Sequence, residues 1–254
     1  MSNLTARHEQ IMEKLKKEGS VAVLDLCNEL KVSSVTIRKD LKLLEDKHLL
    51  YRTHGGGTLK NPYTSDRPVN EKEKINVTEK ENIARAAAAL IEVNDSIIIG
   101  SGTTVQILAS HIKPQGLLTV ITASLHVASA LVHHPETEVL QLGGVLRKSS
   151  VSATGIYAER MLDDFSSSKL FLGVDGIDVE FGLTTTNATE AQLNRKMIQT
   201  AQKTIVLADS SKFGRRGYAK ICKLEDVQQI ITDAGISDHT VSILKGMGIE
   251  VTIV

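Results

Sequence analysis

Small hydroxyl and glycine residues gather directly after one apolar run in the chain. Ser101, Gly102, Thr103 and Thr104 follow the run Ser96–Ile99 and precede apolar residues at helical spacing. Glycines let backbone N–H groups approach an anion, hydroxyls donate further hydrogen bonds, and a helix N-terminus adds partial positive charge. This pattern suits a phosphate site, although a strand-to-helix turn also needs glycine and serine for its geometry alone. No Gly-Lys-Ser/Thr sequence follows, so the pattern is not a nucleotide P-loop.

Six further apolar runs alternate with helical stretches in the rest of the chain. Such alternation predicts a mainly parallel α/β sheet. Ligands of these sheets bind beyond the carboxyl ends of the strands, so the residues after each run are candidates for a site. The runs are Leu118–Ile121, Val139–Leu142, Lys169–Val174, Thr204–Ala208, Gln229–Thr232 and Glu250–Val254.

The residues that follow these runs are rich in small polar groups and carboxylates. Lys212 could neutralise one charge of a phosphate held by the glycine and hydroxyl residues. Asp175 and Asp178 can bind a polar ligand, or they can form turns through their own side chains. The candidates at these positions are Thr122, Ser124, Gly143, Gly144, Asp175, Asp178 and Lys212.

The first 60 residues predict three short helices and a hairpin. Ser33 or Ser34 can cap the third helix, and its apolar stripe faces a core. Its other face carries hydroxyl and cationic groups, which can contact phosphates and guanine edges in a major groove. A solvated helix face is the alternative interpretation. A strand and a glycine turn follow and complete a winged helix-turn-helix. The candidate DNA-binding residues are Ser33, Ser34, Thr36, Arg38, Lys39, Lys42, Arg52 and His54.

Composition and charge place limits on the class of protein. Of the 254 residues, 41% are hydrophobic and 24% charged, which excludes disordered and collagen-like chains. The formal net charge is zero, but residues 1–60 carry +3 and the remainder −3. A basic head therefore precedes an acidic body. Cys27 and Cys222 form no metal-ligand pattern, and we expect a cytoplasmic chain with no signal peptide, membrane span, metal or cofactor.

The head resembles the N-terminal module of the DeoR family of bacterial transcription regulators. The resemblance extends over about 50 residues in order and at family spacing, and it implies binding to double-stranded operator DNA. Lys39 departs from the pattern, since many relatives have arginine at this position. The motifs that carry the resemblance are Val32-Ser33, Thr36–Leu41, Leu44-Glu45 and Arg52–Gly57.

The body resembles the C-terminal sensor domain of the same family. The residues after the apolar runs carry the resemblance, together with Gly182–Thr185, Asn187, Glu190 and Asn194-Arg195. It implies a sheet related to those of ribose phosphate isomerases, glucosamine phosphate deaminases and CoA transferases. It also implies a pocket that senses a phosphorylated sugar, and so a repressor of a carbohydrate catabolic operon.

The resemblance gives the candidate residues roles in holding the effector. The glycine and hydroxyl residues after the first run would bind the phosphate, together with Lys212. Asp175, Asp178 and Glu190 would accept hydrogen bonds from sugar hydroxyls. Arg195 has an alternative place on a helix surface. Asn187 and the small residues after the second and third runs complete the expected effector site.

Two other functions compete with the sensor interpretation. Asp175, Asp178 and Glu190 also resemble the carboxylates that sugar phosphate isomerases use for proton transfer. That chemistry needs a cation or donor beside the developing enediolate, and residues 179–189 contain neither Lys nor Arg. An adaptor without a ligand is disfavoured, because polar loops converging on one sheet edge serve no packing purpose. We therefore expect a non-enzymatic sensor.

The polar stretch between head and body predicts a linker. Its prolines and charge run place a DNA-binding domain at 1–60, a linker at 61–75 and a sensing and oligomerisation domain at 76–254. The run Glu71–Lys74 reads as a solvated helix face. One helix-turn-helix reads few base pairs, so we expect a homodimer or homotetramer that places two heads on two half-sites.

Overall fold

The computed structural model describes residues 6–47, 49–53, 55–59 and 67–254. It divides the chain into two units, 1–65 and 66–254. Within the described residues, no helix is both long enough and apolar enough to cross a membrane.

The first unit contains three helices and a small antiparallel sheet. Its elements are α1 (Ala6–Glu18), β1 (Ser20–Ala22), α2 (Val23–Leu30), α3 (Ser34–Asp46), β2 (Tyr51–Thr53) and β3 (Gly56–Thr58). The sheet has the order β1-β3-β2, so the hairpin β2-β3 forms the wing. This confirms the predicted winged helix-turn-helix and adds β1, which pairs with β3.

The core of the first unit forms where the apolar stripes of its three helices meet. Ile11, Leu26, Ile37 and Leu41 are buried there, and each contributes roughly 1.5–3 kcal/mol of hydrophobic stabilisation. Gly56 is required by packing, because a Cβ at this position would lie 1.7 Å from the Val21 carbonyl oxygen. Glycine therefore permits β3 to pair with β1.

The second unit alternates strands and helices over most of its length. Its helices are α4 (Val69–Lys72), α5 (Val77–Ala88), α6 (Thr103–His111), α7 (Leu125–Leu131), α8 (Ile156–Met161), α9 (Ala188–Thr200) and α10 (Asp238–Gly246). The strands of its main sheet are β4 (Ser96–Ile99), β5 (Leu118–Thr122), β6 (Thr137–Gln141), β9 (Ser167–Gly173), β12 (Ala201–Leu207), β14 (Gln229–Thr232) and β15 (Glu250–Ile253).

The main sheet has the order β15-β14-β12-β9-β4-β5-β6, and all neighbouring strands are parallel. All seven apolar runs lie in this sheet, so the predicted fold class is confirmed. Successive side chains point to opposite faces: Ile97 and Ile99 pack with α5, α6 and α7, whereas Ile98 packs with α8 and α9. Helices therefore cover both faces of β4.

Two smaller sheets lie outside this alternation. The antiparallel sheet β10-β11-β13 consists of β10 (Gly176–Asp178), β11 (Gly182–Thr185) and β13 (Ala219–Cys222). The hairpin of β7 (Val145–Arg147) and β8 (Ser152–Thr154) follows β6. These short strands carry no long apolar run, which is why sequence periodicity does not show them.

The segment expected as the linker contains part of the second unit. Residues 69–72 form α4, and Val69 is 7% exposed. The chain does not continue from α4 as one helix, because Asn76 has a φ of 52° and α5 starts after it. The charge run is also not fully solvated, since Lys72 forms an ion pair with Asp175.

Candidate functional site

The candidate effector site lies at the carboxyl edge of the main sheet. The chain runs outward through β4, β5 and β6 and then returns to β9 beside β4, so the loops after β4 and β9 diverge. Ligands of open parallel sheets bind at such a switch point. The two loops start close together before they diverge: a Cβ added to Gly173, the last residue of β9, would lie 3.2 Å from the carbonyl oxygen of Ser101 after β4.

Glu190 joins several elements of the site. Its carboxylate accepts hydrogen bonds from Ser101 Oγ at 3.1 Å and Thr185 Oγ1 at 3.1 Å, and it forms an ion pair with Arg147. Asn187 caps α9, since its Oδ1 accepts from the Glu190 N–H at 3.0 Å. The cap sets the start of α9 and thereby directs Glu190 toward the loop after β4.

Asp175 is the second carboxylate of the site. Its Oδ1 accepts from Lys72 Nζ at 2.7 Å, and its Oδ2 accepts from Thr185 Oγ1 at 2.9 Å and the Thr186 N–H at 3.3 Å. Burial would raise the pKa of Asp175, but the charges of Lys72 and Lys212 outweigh it and hold that pKa below its ordinary value. Asp175 is therefore ionised at neutral pH.

Asp209, the buried Lys80 and the half-buried Lys212 form the other side of the site. Asp209 Oδ1 accepts from Asn76 Nδ2 at 2.8 Å and from the Ser211 N–H at 3.1 Å. Lys80 is 4% exposed, and its Nζ donates to the Lys72 carbonyl oxygen at 2.5 Å. Burial and then the charge of Lys212 lower the pKa of Lys80 to about 8.

Lys212 brings a further positive charge close to Lys80. Burial lowers its pKa, with further lowering by Lys72, while Asp175 and Asp209 act in the opposite direction. In the part of the chain that the structure describes, Lys212 Nζ has no hydrogen-bond or ion-pair partner within range. Lys80 is buried and Lys212 is half-buried, and within the described residues no carboxylate bonds directly to either ammonium group, an arrangement suited to an anion.

The loop after β4 offers backbone donors. Gly102 has a φ of 123°, a conformation that favours glycine, and α6 begins directly after it without a side-chain cap. Thr103 and Thr104 are buried in the first turn of α6. The first N–H groups of a helix have no intrahelical acceptor. They can donate to an anion.

Four candidates at the ends of β5 and β6 have local roles. Thr122 Oγ1 accepts from the Ser124 N–H at 3.1 Å, and Ser124 caps α7. Gly144 has a φ of 142°, and a Cβ there would lie 2.5 Å from the Thr154 carbonyl oxygen. Gly143 precedes it at the start of the β7-β8 hairpin. The contacts of these residues position their loops.

Asp178 and Arg195 also have structural partners. The Asp178 carboxylate accepts from the Phe181 N–H at 2.7 Å and from Arg216 Nε at 2.8 Å. It forms both the turn that we considered as an alternative and an ion pair. Arg195 donates to the Ile221 carbonyl oxygen at 2.9 Å and to the Lys220 carbonyl oxygen at 3.0 Å. It ties α9 to β13.

Some residues of the site carry no sequence signal that marks them. Lys72 and Lys80 resemble the solvated lysines of any charged helix. Arg147 lies in a short hairpin with no recognisable pattern. For Thr185 the one available clue is its place in the motif Gly182–Thr185, which forms β11 and carries the resemblance.

The candidate DNA interface lies on α3. Ser33 caps this helix, since its Oγ accepts from the Thr36 N–H at 3.2 Å. Arg38, Lys39 and Lys42 are exposed. None of these three forms an ion pair within the described parts of the chain. Ser34 and Thr36, in the first turn, are half-buried.

The wing and α1 hold α3 in place. The Arg52 N–H donates to Glu45 Oε1 at 2.7 Å, which ties β2 to the end of α3. Arg7 Nε and Nη2 donate to the two carboxylate oxygens of Asp40 at 2.6 and 3.0 Å, and His8 Nε2 lies 3.1 Å from Asp40 Oδ1. His54, the other predicted wing residue, lies outside the described residues.

Comparison with known protein families assigns both units. Residues 7–62 match the DeoR-like helix-turn-helix domain, and residues 75–234 match the DeoR C terminal sensor domain. Among solved structures, ribose 5-phosphate isomerase A from Methanocaldococcus jannaschii is 16% identical, with a TM-score of 0.40 and coverage of 54% of this chain and 55% of that chain.

Similar curated proteins cover nearly the whole chain. The putative aga operon transcriptional repressor of Escherichia coli O157:H7 is 38% identical over 100% of this chain and 95% of that protein. The uncharacterized HTH-type transcriptional regulator YulB of Bacillus subtilis (strain 168) is 37% identical over 98% and 96%. The repressor GlcR of Bacillus subtilis (strain 168) is 32% identical over 96% and 93%. The resemblance drawn from the motifs is thus confirmed, and the chain belongs to the DeoR family of transcriptional regulators.

Proposed function

We propose that the protein is a DNA-binding repressor of a carbohydrate catabolic operon, which a phosphorylated sugar or sugar derivative releases from its operator. The observation that carries this proposal is the position of two cations, Lys80 and Lys212, beside two carboxylates at one sheet edge, with no carboxylate of the described residues bonded directly to either cation. A phosphate would satisfy Lys80 and Lys212, and the carboxylates of Asp175 and Glu190 would accept hydrogen bonds from sugar hydroxyls.

The N-terminus of α6 supports the same assignment. Its N–H groups, together with Ser101 and Thr103, would donate to phosphate oxygens, and the helix dipole favours the negative charge. Lys212 would supply a charge-assisted hydrogen bond. A neutral sugar would leave Lys80 and Lys212 without a directly bonded anion, so this pair of cations favours an effector that carries a phosphate.

The DNA-binding role rests on α3. A major groove admits a helix, and Arg38, Lys39 and Lys42 form a cationic face free to meet bases and phosphates. One helix-turn-helix reads few base pairs, and useful affinity for DNA needs two such domains on two half-sites. We therefore propose a homodimer or homotetramer.

We also propose that the site binds its ligand without catalysis. An isomerase requires a free base close to the substrate carbon and a donor for the enediolate oxygen. Thr185 and Thr186 hold Oδ2 of Asp175, Arg147 pairs with Glu190, and Arg216 pairs with Asp178. These contacts favour a binding role over proton transfer.

Thermal unfolding of the full chain tests the effector class. The probes are fructose 6-phosphate, fructose 1-phosphate and glucosamine 6-phosphate, with inorganic phosphate and fructose as controls. A sugar phosphate at 100 times its Kd adds about 2.7 kcal/mol to the free energy of unfolding. It should also release the protein from duplexes selected out of a random DNA library. Stabilisation by none of the sugar phosphates, or their steady conversion to products, would contradict the proposal.

A further inference from the structure

The one-turn helix α4 stands where the chain enters the second unit. Isolated helices shorter than about 12 residues are marginal in water, so contacts with the rest of the unit must hold a helix of four residues. The Val69 N–H donates to the Ser149 carbonyl oxygen at 2.7 Å, and its side chain is buried. Lys72, the last residue of α4, pairs with Asp175.

The anchors of α4 lead to the effector site. Lys72 bonds directly to Asp175. Ser149 accepts a side-chain hydrogen bond from Arg147 at 3.0 Å, and Arg147 pairs with Glu190. Asp175 is thus connected to α4 through Lys72, and Glu190 is connected to α4 through Arg147 and Ser149. A ligand that moves either carboxylate can therefore affect α4.

Lys80 adds a third connection. Its ammonium group donates to the Lys72 carbonyl oxygen, while Lys212 repels it from within the site. An anion between Lys80 and Lys212 would draw the Lys80 ammonium toward itself. The hydrogen bond that holds the C-terminal end of α4 would then weaken.

Lys72 is the replaceable partner of Asp175. The other partners are fixed, because Thr185 is buried in β11 and Thr186 donates through its backbone. The Lys72 side chain keeps 27% of its surface exposed, so a ligand can reach this ion pair. Oδ2 of Asp175 already accepts from Thr185 and Thr186, so a sugar hydroxyl that donates to this carboxylate must approach Oδ1 and compete there with Lys72 Nζ.

We propose that Lys72 closes the effector site on Asp175, and that the effector displaces it and so frees α4. This inference rests on the proposed function and adds its route of regulation. A ligand shifts an equilibrium only by its different affinity for the two states. Here the difference has a physical origin, since the state with Lys72 on Asp175 excludes the sugar. The segment released is the part of the second unit that directly follows the junction with the DNA-binding unit.

Hydrogen exchange of the ligand-free full chain tests the closed state. Lys72→Met removes the ion pair, and Asp175→Asn removes it from the other side. Both variants should speed exchange at the amides of Val69 and Glu73, which donate to Ser149 and Val69. The double variant should add little to either single change. Lys74→Met is the matched control, because Lys74 is exposed in the same charge run and should leave exchange unchanged.

Ligand titration tests the competition. With the same three sugar phosphates, Lys72→Met should bind more tightly than the wild type, roughly 5- to 150-fold, because the effector no longer displaces a lysine. The effector should speed exchange over residues 69–73 in the wild type and change it little in Lys72→Met. Inorganic phosphate has no sugar to extend from the phosphate site to Asp175 and should bind both proteins alike.

Two results would overturn the inference. Unchanged exchange at Val69 and Glu73 in Lys72→Met would mean that the ion pair does not hold α4. Weaker sugar phosphate binding by this variant, with Lys74→Met unaffected, would make Lys72 a ligand of the effector. Failure of all three sugar phosphates to bind the wild type would instead contradict the proposed function, and the ligand-free exchange would then decide alone on the closed state.

Discussion

Arg7 and Asp40 form a two-pronged ion pair that joins the first helix of the DNA-binding unit to the helix that we assign to the major groove. Nε and Nη2 of Arg7 donate to different oxygens of the carboxylate. His8 lies against the same carboxylate, on the buried side. The orientation of the exposed cationic face thus depends on a contact behind it.

We expect Asp40→Ala to lower the free energy of unfolding of this unit by roughly 1–3 kcal/mol, because it removes a buried carboxylate that accepts two hydrogen bonds from Arg7 and lies beside the buried His8. Chemical denaturation at neutral pH measures the change. Asp46→Ala is the control, since Asp46 is exposed at the end of the same helix. Equal stability of the two variants would remove the assigned role of the pair.

The same pair predicts a dependence of stability on pH. Burial raises the pKa of Asp40, but the hydrogen bonds from Arg7 and His8 outweigh it and lower the pKa from 3.8. A carboxylate with a lowered folded-state pKa stabilises the fold fully above its unfolded value and loses this contribution as pH falls through the folded value. The difference in free energy of unfolding between the wild type and Asp40→Ala should therefore become smaller as the pH is lowered below about 4.

Two cations of α3, Arg38 and Lys42, should contribute to DNA binding in different ways. We expect Arg38→Ala to weaken binding to the selected duplex by roughly 1–3 kcal/mol and to relax its sequence preference, if Arg38 contacts a base. Lys42→Ala should weaken binding to all duplexes about equally and reduce the salt slope by about one. Titrations of selected and random duplexes at two salt concentrations measure both. Unchanged affinity in both variants would reject the placement of α3 in the groove.

Substitutions in the candidate effector site should weaken effector binding without weakening DNA binding. We expect Lys212→Ala and Thr103→Val to weaken sugar phosphate binding while ligand-free operator affinity stays intact, since neither residue belongs to the DNA-binding unit. The result is a repressor that the effector cannot release. Operator titrations with and without ligand measure this, and Lys74→Met again serves as the control. Loss of operator binding without ligand would give these residues a role in folding or assembly.

The buried Lys80 predicts proton uptake when the effector binds. Its pKa is lowered from 10.5 to about 8, and a bound phosphate would raise it again, since opposite charge favours the ammonium form. Affinity should therefore fall as pH rises above about 8. Calorimetry at pH 8 in buffers of different ionisation enthalpy measures the protons taken up. Lys80→Met should abolish the uptake, and an identical uptake in this variant would exclude Lys80 as its source.

In the ligand-free protein, the lowered pKa of Lys80 predicts that stability rises with pH, whereas effector affinity falls with pH. Its folded-state pKa of about 8 lies below the ordinary 10.5, so the unfolded chain binds more protons between these values. The free energy of unfolding gained through Lys80 therefore rises with pH across that interval. Comparing the wild type with Lys80→Met in ligand-free unfolding experiments measures it.

The main sheet follows from the sequence because buried parallel strands read as continuous apolar runs. All seven runs occur as strands, with ends that differ by a few residues. The strand β1 was missed, since three residues that pair across the wing leave no periodic pattern. Short strands of this kind depend on partners far along the chain.

The site was harder to predict than the fold. The residues after the strands point to one edge of the sheet, where Thr185 contacts both Asp175 and Glu190, and the site itself stays a prediction. Lys72 was missed because its partner lies 103 residues away, and charge runs on helices are most often solvated. Asp178 shows the opposite case: a local turn and Arg216 engage the carboxylate that the resemblance assigns to the ligand.

The pairing of β4 with β9 has a consequence for synthesis of the protein on the ribosome. Ile97 of β4 aligns with Lys169 of β9. The centre of the sheet therefore cannot form until the ribosome has synthesised β9, and such non-local pairings form slowly. Domains fold from the N-terminus as they emerge, and the DNA-binding unit is complete by residue 65. A translation product that stops before residue 167 therefore carries the whole DNA-reading surface without Asp175, Glu190 or Lys212. We expect such a fragment to bind DNA only weakly, because it lacks the domain to which we assign oligomerisation and therefore the second head, and it has no means of responding to an effector.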